Sequence, residues 1–299
     1  MNHHKYRLIV PFLAPSIILY GIFVLWPYAQ SFYVALTQWQ GVSANKKFVG
    51  LQNFDKLFHD PFFWNALKHN GEMLVFLPIL TIGISLVFAT MFTQGGKGIR
   101  GSGFYRVVFF FPQVMSVVII GVLWSFIYNP QIGLLTSTLN KVGLGFIAPS
   151  SGWLGDPGWA LWMIGLVVVW QAVGFYMVLF VAGMQSIPTT FYEAATLDGA
   201  NRWTAFWGIT LPLMWDNIRV ALVYIGIAAL DLFTIVDTMT EGQAGPNRAT
   251  QVLSHYMYES AFTNSQFGYA TAIGVTLLAL TLLLSVITLR VTQRERLEY

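Results

Sequence analysis

Between Arg219 and Asp237 the chain carries one carboxylate, Asp231, in an otherwise apolar run that also holds Tyr224 and Ala228. A carboxylate in such a run is expensive to place in lipid and rarely faces it. Asp231 can bind hydroxyl groups bidentately or meet a cationic group. It can equally sit solvated near an outer mouth, since Asp237 follows within two turns. A second polar position, Gln171, stands in Val167-Val-Val-Trp170-Gln171-Ala-Val-Gly174-Phe175-Tyr176. An amide offers two donors and an acceptor, and an aromatic ring stacks on the apolar face of a saturated ring. Together Trp170, Gln171, Gly174 and Phe175 suit a neutral, polyhydroxylated ligand. The plainer reading of the aromatics is lipid or core packing, and of Gln171 an interhelical hydrogen bond. Gln113 and Ser116 add two more polar groups to the same inventory. Metal chemistry has little support: His3 and His4 are adjacent with no third ligand near, and His59, His69 and His255 are scattered without ligand spacing.

The elements that must position these groups follow from composition. The chain has 299 residues, 56% hydrophobic, 16% aromatic and only 10% charged, with mean hydropathy +0.60. A soluble domain is about 25% charged, so this chain lacks the polar surface to coat itself in water. That excludes a soluble enzyme, a nucleic-acid binder and a disordered chain. The net charge of +3 is a few Lys and Arg in loops, not a basic patch. With no cysteine, disulfides, thiolate metal sites and thiol catalysis are out. Stretches free of Asp, Glu, Lys and Arg run from Leu8 to Asn45, Met73 to Gly96, Val107 to Asn140, Pro157 to Tyr192 and Ser260 to Leu289, with a sixth between Arg219 and Asp231.

A bilayer-spanning helix needs ~20 apolar residues. Trimmed by hydrophobicity, these stretches predict six spans near 8–36, 73–93, 104–128, 158–184, 213–236 and 269–290, an all-α polytopic membrane protein organised as one domain. The first span is longer than a cleavable signal core and has no clean Ala-x-Ala end, so it reads as a retained helix. With both termini inside, ten basic residues fall in inner segments (Lys5, Arg7, Lys97, Arg100, Arg106, Arg202, Arg219, Arg290, Arg294, Arg296). Six fall outside: Lys46, Lys47, Lys56, Lys68, Lys141 and Arg248. Trp39, Trp64, Trp153 and Trp159 suit the water–lipid interface. Pro27, Pro78 and Pro112 lie inside spans, where each removes a hydrogen bond; they are either tolerated in a bundle or mark broken helices along a pathway.

The segment with the most information is 185–212, between spans four and five. Pro188 breaks the fourth span. Thr189 or Thr190 can cap a helix whose first turn carries Glu193, favourable at the positive end of the dipole. Gly199 turns that helix, and 200–210 offers a second, with Trp203, Phe206, Trp207 and Leu211 as an apolar stripe before Pro212 closes it. The small residues Ala194, Ala195, Gly199 and Ala200 allow another surface to approach closely. Such a hairpin on the cytoplasmic face is shaped to fill a partner's groove.

Glu193-Ala194-Ala195, three residues, Gly199, nine residues, then Ile209-x-Leu211-Pro212 resembles the EAA signature of binding-protein-dependent ABC importer permeases in both residue type and spacing. Further stretches resemble the maltose-type carbohydrate branch of that family. They are Phe48–Phe54 with Asp60–Leu67, Pro112-Gln113 with Trp124 and Asn129-Pro130, and Thr240, Gly245-Pro246, Thr250, Tyr256, Ala261-Phe262 and Gly268-Tyr269. The chain departs at Asp216-Asn-Ile-Arg219, where relatives more often carry a proline, and at Asp231. The resemblance implies a type I importer permease in the bacterial plasma membrane. It implies pairing with a second similar permease, with two ATPase subunits below and an extracytoplasmic binding protein that delivers a mono- or oligosaccharide. A polyol or glycerol-phosphate-like substrate is the alternative. By the same analogy Glu193, Ala194, Ala195, Asp198, Gly199 and Ala200 form the ATPase-coupling surface, with Glu193 meeting a basic residue of the ATPase. Gln113, Ser116, Trp170, Gln171, Gly174, Phe175, Tyr224, Ala228 and Asp231 are its pathway candidates.

No catalytic site or cofactor of its own is expected, ATP being bound by the partner subunits. Gly96-Lys-Gly-Ile-Arg-Gly101 reads G-x-G-x-x-G, but that fingerprint needs a preceding strand in a βαβ unit, and no spaced P-loop lysine followed by Ser or Thr exists. An intramembrane enzyme would need a paired acid and base or a metal constellation at one depth, and Asp231 stands alone.

Overall fold

The computed structural model describes residues 3–42, 45–93 and 101–292, with side chains from residue 11 onward. The stretch from Gly96 to Arg100, Arg294 and Arg296, and the side chains of His3, His4, Lys5 and Arg7 lie outside what is described. Among the described residues the regular structure is helical apart from one two-stranded ribbon. In chain order the elements are α1 (His3–Tyr20), a π-turn (Gly21–Leu25), α2 (Trp26–Ala35), β1 (Thr37–Gln38), β2 (Lys47–Phe48), α3 (Gln52–Phe58), α4 (Pro61–Thr93), α5 (Ser102–Val114), α6 (Val117–Ile127), α7 (Leu134–Lys141), α8 (Ala160–Gln185), α9 (Thr189–Leu197), α10 (Arg202–Ala205), a π-turn (Phe206–Thr210), α11 (Leu211–Leu213), α12 (Trp215–Leu230), α13 (Phe233–Met239), α14 (Leu253–Tyr258), a π-turn (Glu259–Thr263) and α15 (Phe267–Val291). Four helices are long and apolar enough to cross a bilayer, Pro11–Ala35, Pro61–Thr93, Ala160–Gln185 and Phe267–Val291, and up to six if each bent helix pair is one span.

Two compact units arise from these elements: the chain up to Trp64 with Tyr256–Ala279, and Asn65–His255 with the chain from Leu280. In the first unit, β1 and β2 pair antiparallel with Thr37 opposite Phe48. The Asn53 amide holds this ribbon by donating to the carbonyls of Ala35 (2.8 Å) and Thr37 (2.9 Å). Gly268 lets its backbone meet the ribbon: its N–H donates to the Trp39 carbonyl at 3.1 Å, and a Cβ there would sit 1.9 Å from the Thr37 oxygen. Asp60 precedes Pro61, the first residue of α4, a position where the missing proline N–H costs nothing. Its carboxylate accepts the Phe62 N–H at 2.9 Å and the hydroxyls of Tyr256 and Tyr269. Burial acts to raise the Asp60 pKa, but these hydroxyl and backbone donors outweigh it and hold the carboxyl below its usual value of 3.8. Tyr256 is pushed up to about 12, by burial first and by Asp60 second.

In the second unit α8 is the central helix. Met177, Phe180, Val167 and Ile164 are fully or almost fully buried, and α4 adds Met73 and Leu77 to the same core. Two glycines set the helix spacing. A Cβ at Gly174 would lie 1.8 Å from the Phe109 oxygen, so α5 crosses α8 backbone to backbone there. A Cβ at Gly121 would lie 2.8 Å from Thr238 Cγ2, which brings α13 onto α6. Small residues at such crossings are what packing in lipid rewards, because no hydrophobic drive separates helix from solvent.

Helices and apolar stretches differ in instructive ways. Where hydropathy begins a span at residue 73, α4 starts at Pro61, with its early turns carrying the ion pair of Lys68 with the half-buried Glu72 (3.7 Å). The expected span 104–128 is two helices bent by 100° at Met115–Ser116, both in extended conformation. The expected span 213–236 is broken at Asp231–Leu232 into α12 and α13. Pro78 leaves α4 continuous, whereas Pro112 lies two residues before the end of α5 and Pro27 follows the first π-turn. Trp153 is buried within the protein, and its indole N–H donates to Thr136 Oγ1 at 3.0 Å.

Two outcomes test this packing. Gly174→Ala forces α5 away from α8, and overpacking of this kind costs about 1–3 kcal/mol. Thermal unfolding in detergent should show a midpoint lower by several degrees, and an unchanged midpoint would contradict the backbone contact. Because the folded-state pKa of Asp60 is depressed, its contribution is complete above 3.8 and is lost as pH falls through the lower folded value. Asp60→Asn should therefore lower the unfolding midpoint near neutral pH and flatten its acid dependence below about pH 5; an acid dependence identical to wild type would exclude this role.

Candidate functional site

The 185–212 segment folds as two short helices around a left-handed glycine. Helix α9 ends in a Schellman motif: the Ala200 N–H donates to the Ala195 carbonyl (2.8 Å), the Gly199 N–H donates to Thr196 (3.1 Å), and Gly199 takes φ +81°. No atom lies within 4 Å of a Cβ built on Gly199, so the positive φ, not crowding within the chain, is what calls for glycine. Asn201 then caps α10, its Oδ1 accepting the Thr204 N–H at 2.9 Å. Two sequence expectations change. The N-cap of α9 is Pro188, with neither threonine side chain capping it, and Glu193 lies in the second turn instead of the first. Pro212 does not close the second helix; it starts α11, and the break comes at Met214.

The outer surface of this segment is bare. Glu193, Ala194, Asp198 and Gly199 are exposed, with Ala195 and Ala200 half-buried. Trp203 and Trp207 are 70% and 51% exposed, stacked edge to face at 5.5 Å with Phe206 beside them. The inner side is anchored. Tyr192 and Thr210 share a hydrogen bond of 3.0 Å across the two helices, and Ile187, Thr210 and Met214 are buried. Immediately after it, α12 grips the end of α15: Trp215 Nε1 donates to the Thr292 carbonyl (2.8 Å) and Arg219 Nη2 to Leu289 (2.5 Å). The two side chains thus satisfy carbonyls that the last turn of a helix leaves without intrahelical partners. Arg219, one of the departures from the family pattern, fills that role.

The pathway candidates divide into three groups. On α8, Trp170 and Phe175 are exposed and Gln171 is half-buried, while Gly174 is buried beneath α5 as a packing position. Trp170 meets Trp124 of α6 edge to face at 5.3 Å, and Trp124 in turn packs on Tyr128. The Trp124 indole N–H is buried with no acceptor among the described residues. An unpaired buried donor costs about 1–3 kcal/mol, a cost set here against the ring packing of Trp124 on Trp170 and Tyr128. On α12, Tyr224, Ala228 and Asp231 are exposed along one face, opposite the buried Ala221, Ile225 and Ala229. Gln113 and Ser116 are exposed at the α5–α6 break. Among the described residues no hydrogen bond or ring contact joins Tyr224 or Asp231 to Trp170 or Gln171, so each helix presents its own face.

Two of the interruptions among the described residues fall at pathway candidates, Ser116 and Asp231, and a third, a bend of 67°, falls at Met214. Such breaks persist at membrane depth where the freed backbone is buried in protein or lines a cavity. Among the described residues no three His, Cys, Asp or Glu side chains gather as metal ligands. His59 sits exposed 3.7 Å from Asp55, His69 is buried on α4, and the buried His255 lies 3.7 Å from Asp237.

Comparison with known proteins agrees with this arrangement. Residues 8–297 match the family described as binding-protein-dependent transport system inner membrane component. The diacetylchitobiose uptake system permease protein NgcF of Streptomyces coelicolor is 39% identical over 94% of this chain and 81% of its own length. The probable ABC transporter permease protein YurN of Bacillus subtilis is 38% identical over 97% of both chains. Among solved structures, a chain of a bacterial ABC transporter involved in import of the acidic polysaccharide alginate superposes with TM-score 0.78 over 97% of this chain and 96% of its own, at 22% identity, a likeness of fold. With its apolar helices, bare hairpin and broken spans, the chain belongs to the family of binding-protein-dependent transport system inner membrane components and is a multi-pass permease of an ABC importer.

Proposed function

We propose that this permease translocates a neutral mono- or oligosaccharide handed to it by an extracytoplasmic binding protein. It hydrolyses no ATP itself and binds no cofactor; two ATPase subunits drive it through the 185–212 hairpin. A second, similar permease completes the path, and the whole chain acts as one transmembrane domain. Both termini are cytoplasmic, as the ten-to-six bias of basic residues favours.

The observation that carries the reading is the hairpin: a wedge closed by the Gly199 turn and the Asn201 cap, anchored at Thr210 and Met214, yet bare at Glu193 and Trp203. A connector has no reason to expose two tryptophans. Seated in a cleft of an ATPase subunit, a rigid wedge passes the closure of that subunit to α8 and α12, which leave it at either end, as a rigid-body coupling. The diacetylchitobiose system of the Streptomyces relative supports a sugar substrate. Rings at Trp170 and Phe175 and the Gln171 amide match the stacked faces and hydroxyls of a sugar. Charge separates this from a glycerol-phosphate-like substrate: from Val220 to Leu230 there is no basic residue, and Asp231 would repel an anion.

Three variants of the chain in the reconstituted importer test the proposal. Glu193→Ala and Gly199→Val should cut sugar uptake into proteoliposomes more than about tenfold while the complex still assembles with its ATPase; unaltered uptake would remove the hairpin from the mechanism. Asp231→Asn should raise the half-saturating sugar concentration by about tenfold, equivalent to ~1.4 kcal/mol, with ATPase activity retained. An unchanged value would place Asp231 outside the path.

A further inference from the structure

Three side chains on the early turns of α4 reach the backbone of the segment that follows Pro246. Asn65 Nδ2 donates to the Arg248 carbonyl at 3.4 Å. His69 Nδ1 lies 2.8 Å from the Gln251 carbonyl, which fixes that nitrogen as the protonated one. Asn70 Oδ1 accepts the Leu253 N–H at 2.8 Å. Asn70 differs from the other two in using its second end as well: Nδ2 donates to the Ala229 carbonyl at 2.8 Å. Ala229 is in the last turn of α12, two residues before Asp231, where helix ends leave carbonyls without partners. Asn70 is fully buried, so water cannot replace either bond.

The segment held this way is stiff. Glu241, Ala244, Asn247 and Arg248 all take positive φ (51–60°) without being glycine, alternating with Gly242 and Gly245. Such residues persist only where surrounding structure over-determines them. Here Ala244, Thr250, Gln251 and Val252 are buried beneath the turn. A stiff loop cannot absorb a push by bending internally; it moves as a body, and its motion falls on the Leu253 N–H and the amide that holds it. That amide is planar, so its other end moves with it, and the other end caps the break in α12.

We propose that Asn70 is a positioning residue that passes the seating of segment 240–252 on the binding protein to the helix break at Asp231. The inference rests on the importer reading, in which this segment faces the binding protein and Asp231 faces the path. One planar amide then makes the outer docking surface and the substrate-facing break a single mechanical unit, so that docking opens or closes the break. Shape alone does not do this: a residue that only filled space would leave the response to the binding protein untouched.

The test uses the assembled importer in proteoliposomes, with the binding protein that co-purifies with it and diacetylchitobiose, lactose or maltose, whichever stimulates wild type most. The readout is the ratio of binding-protein-stimulated to basal ATPase activity. Asn70→Leu, near-isosteric but without hydrogen bonds, should lower that ratio about fivefold or more while the complex still assembles. Asn70→Asp, protonated, keeps one donor and one acceptor, and should regain the ratio towards acid pH relative to wild type at the same pH. If N70L does not assemble, the N70D ratio across pH decides. A wild-type ratio in N70L, or N70D as uncoupled as N70L at every pH, would overturn the assignment. A wild-type complex that no such binding protein stimulates would overturn the importer reading and this inference with it.

Discussion

A carbonyl or N–H freed inside a bilayer has no water to bond, and this chain frees several. Uninterrupted helices such as α8 satisfy their backbone internally and need no help. The broken ones need partners brought from elsewhere. At the end of α12 the partner is the Asn70 amide on α4; the terminal carbonyls of the unbroken α15 are met in the same way by Trp215 and Arg219 on α12. These polar side chains inside a largely apolar molecule decide which helix may stop where. The rest of the second unit, including the glycine crossings at Gly174 and Gly121, packs around helices whose ends have been settled in this way.

The same economy explains the contrast between the two surfaces that the proposed transport cycle uses. The 185–212 hairpin ties its turn locally, through the Gly199 Schellman motif and the Asn201 cap, and leaves Glu193, Asp198, Trp203 and Trp207 exposed on its outer side. A surface built like that can enter and leave a partner's cleft without losing its own fold. The pathway faces of α8 and α12 are the reverse. Their backs are committed to the core through Val167, Met177, Ala221 and Ala229, and only one stripe of each helix remains open. Asp231 tolerates its position because it lies at a break, exposed, instead of within an unbroken apolar helix.

Much of this was legible in the residues. Apolar runs of bilayer length located each long helix, because nothing but hydrocarbon explains such a run. The EAA spacing marked the hairpin, because a left-handed turn after a short helix demands glycine at one place. Other features were not legible for equally physical reasons. Hydropathy marks where the hydrocarbon begins and not where a helix begins, so the early turns of α4, opened by the Asp60–Pro61 start, fell outside the expected span. Thr189 and Thr190 are good capping residues by type, but Pro188 already sets the entry to α9. Trp153 has the composition of an interfacial residue, yet its N–H finds Thr136 and it is buried.

Sequence by itself determined the class of the molecule: too few charges for a soluble surface, six apolar segments and a hairpin with a partner-binding signature leave little besides an importer permease. These are properties of local composition and spacing, and they survive whatever the segments pack against. Only the tertiary structure decided where the spans break, which glycines are crossings, and that Asn70 ties an outer loop to the end of α12. Those outcomes depend on hydrogen bonds between residues 159 and 183 positions apart, and the identity of such partners is written in no local pattern.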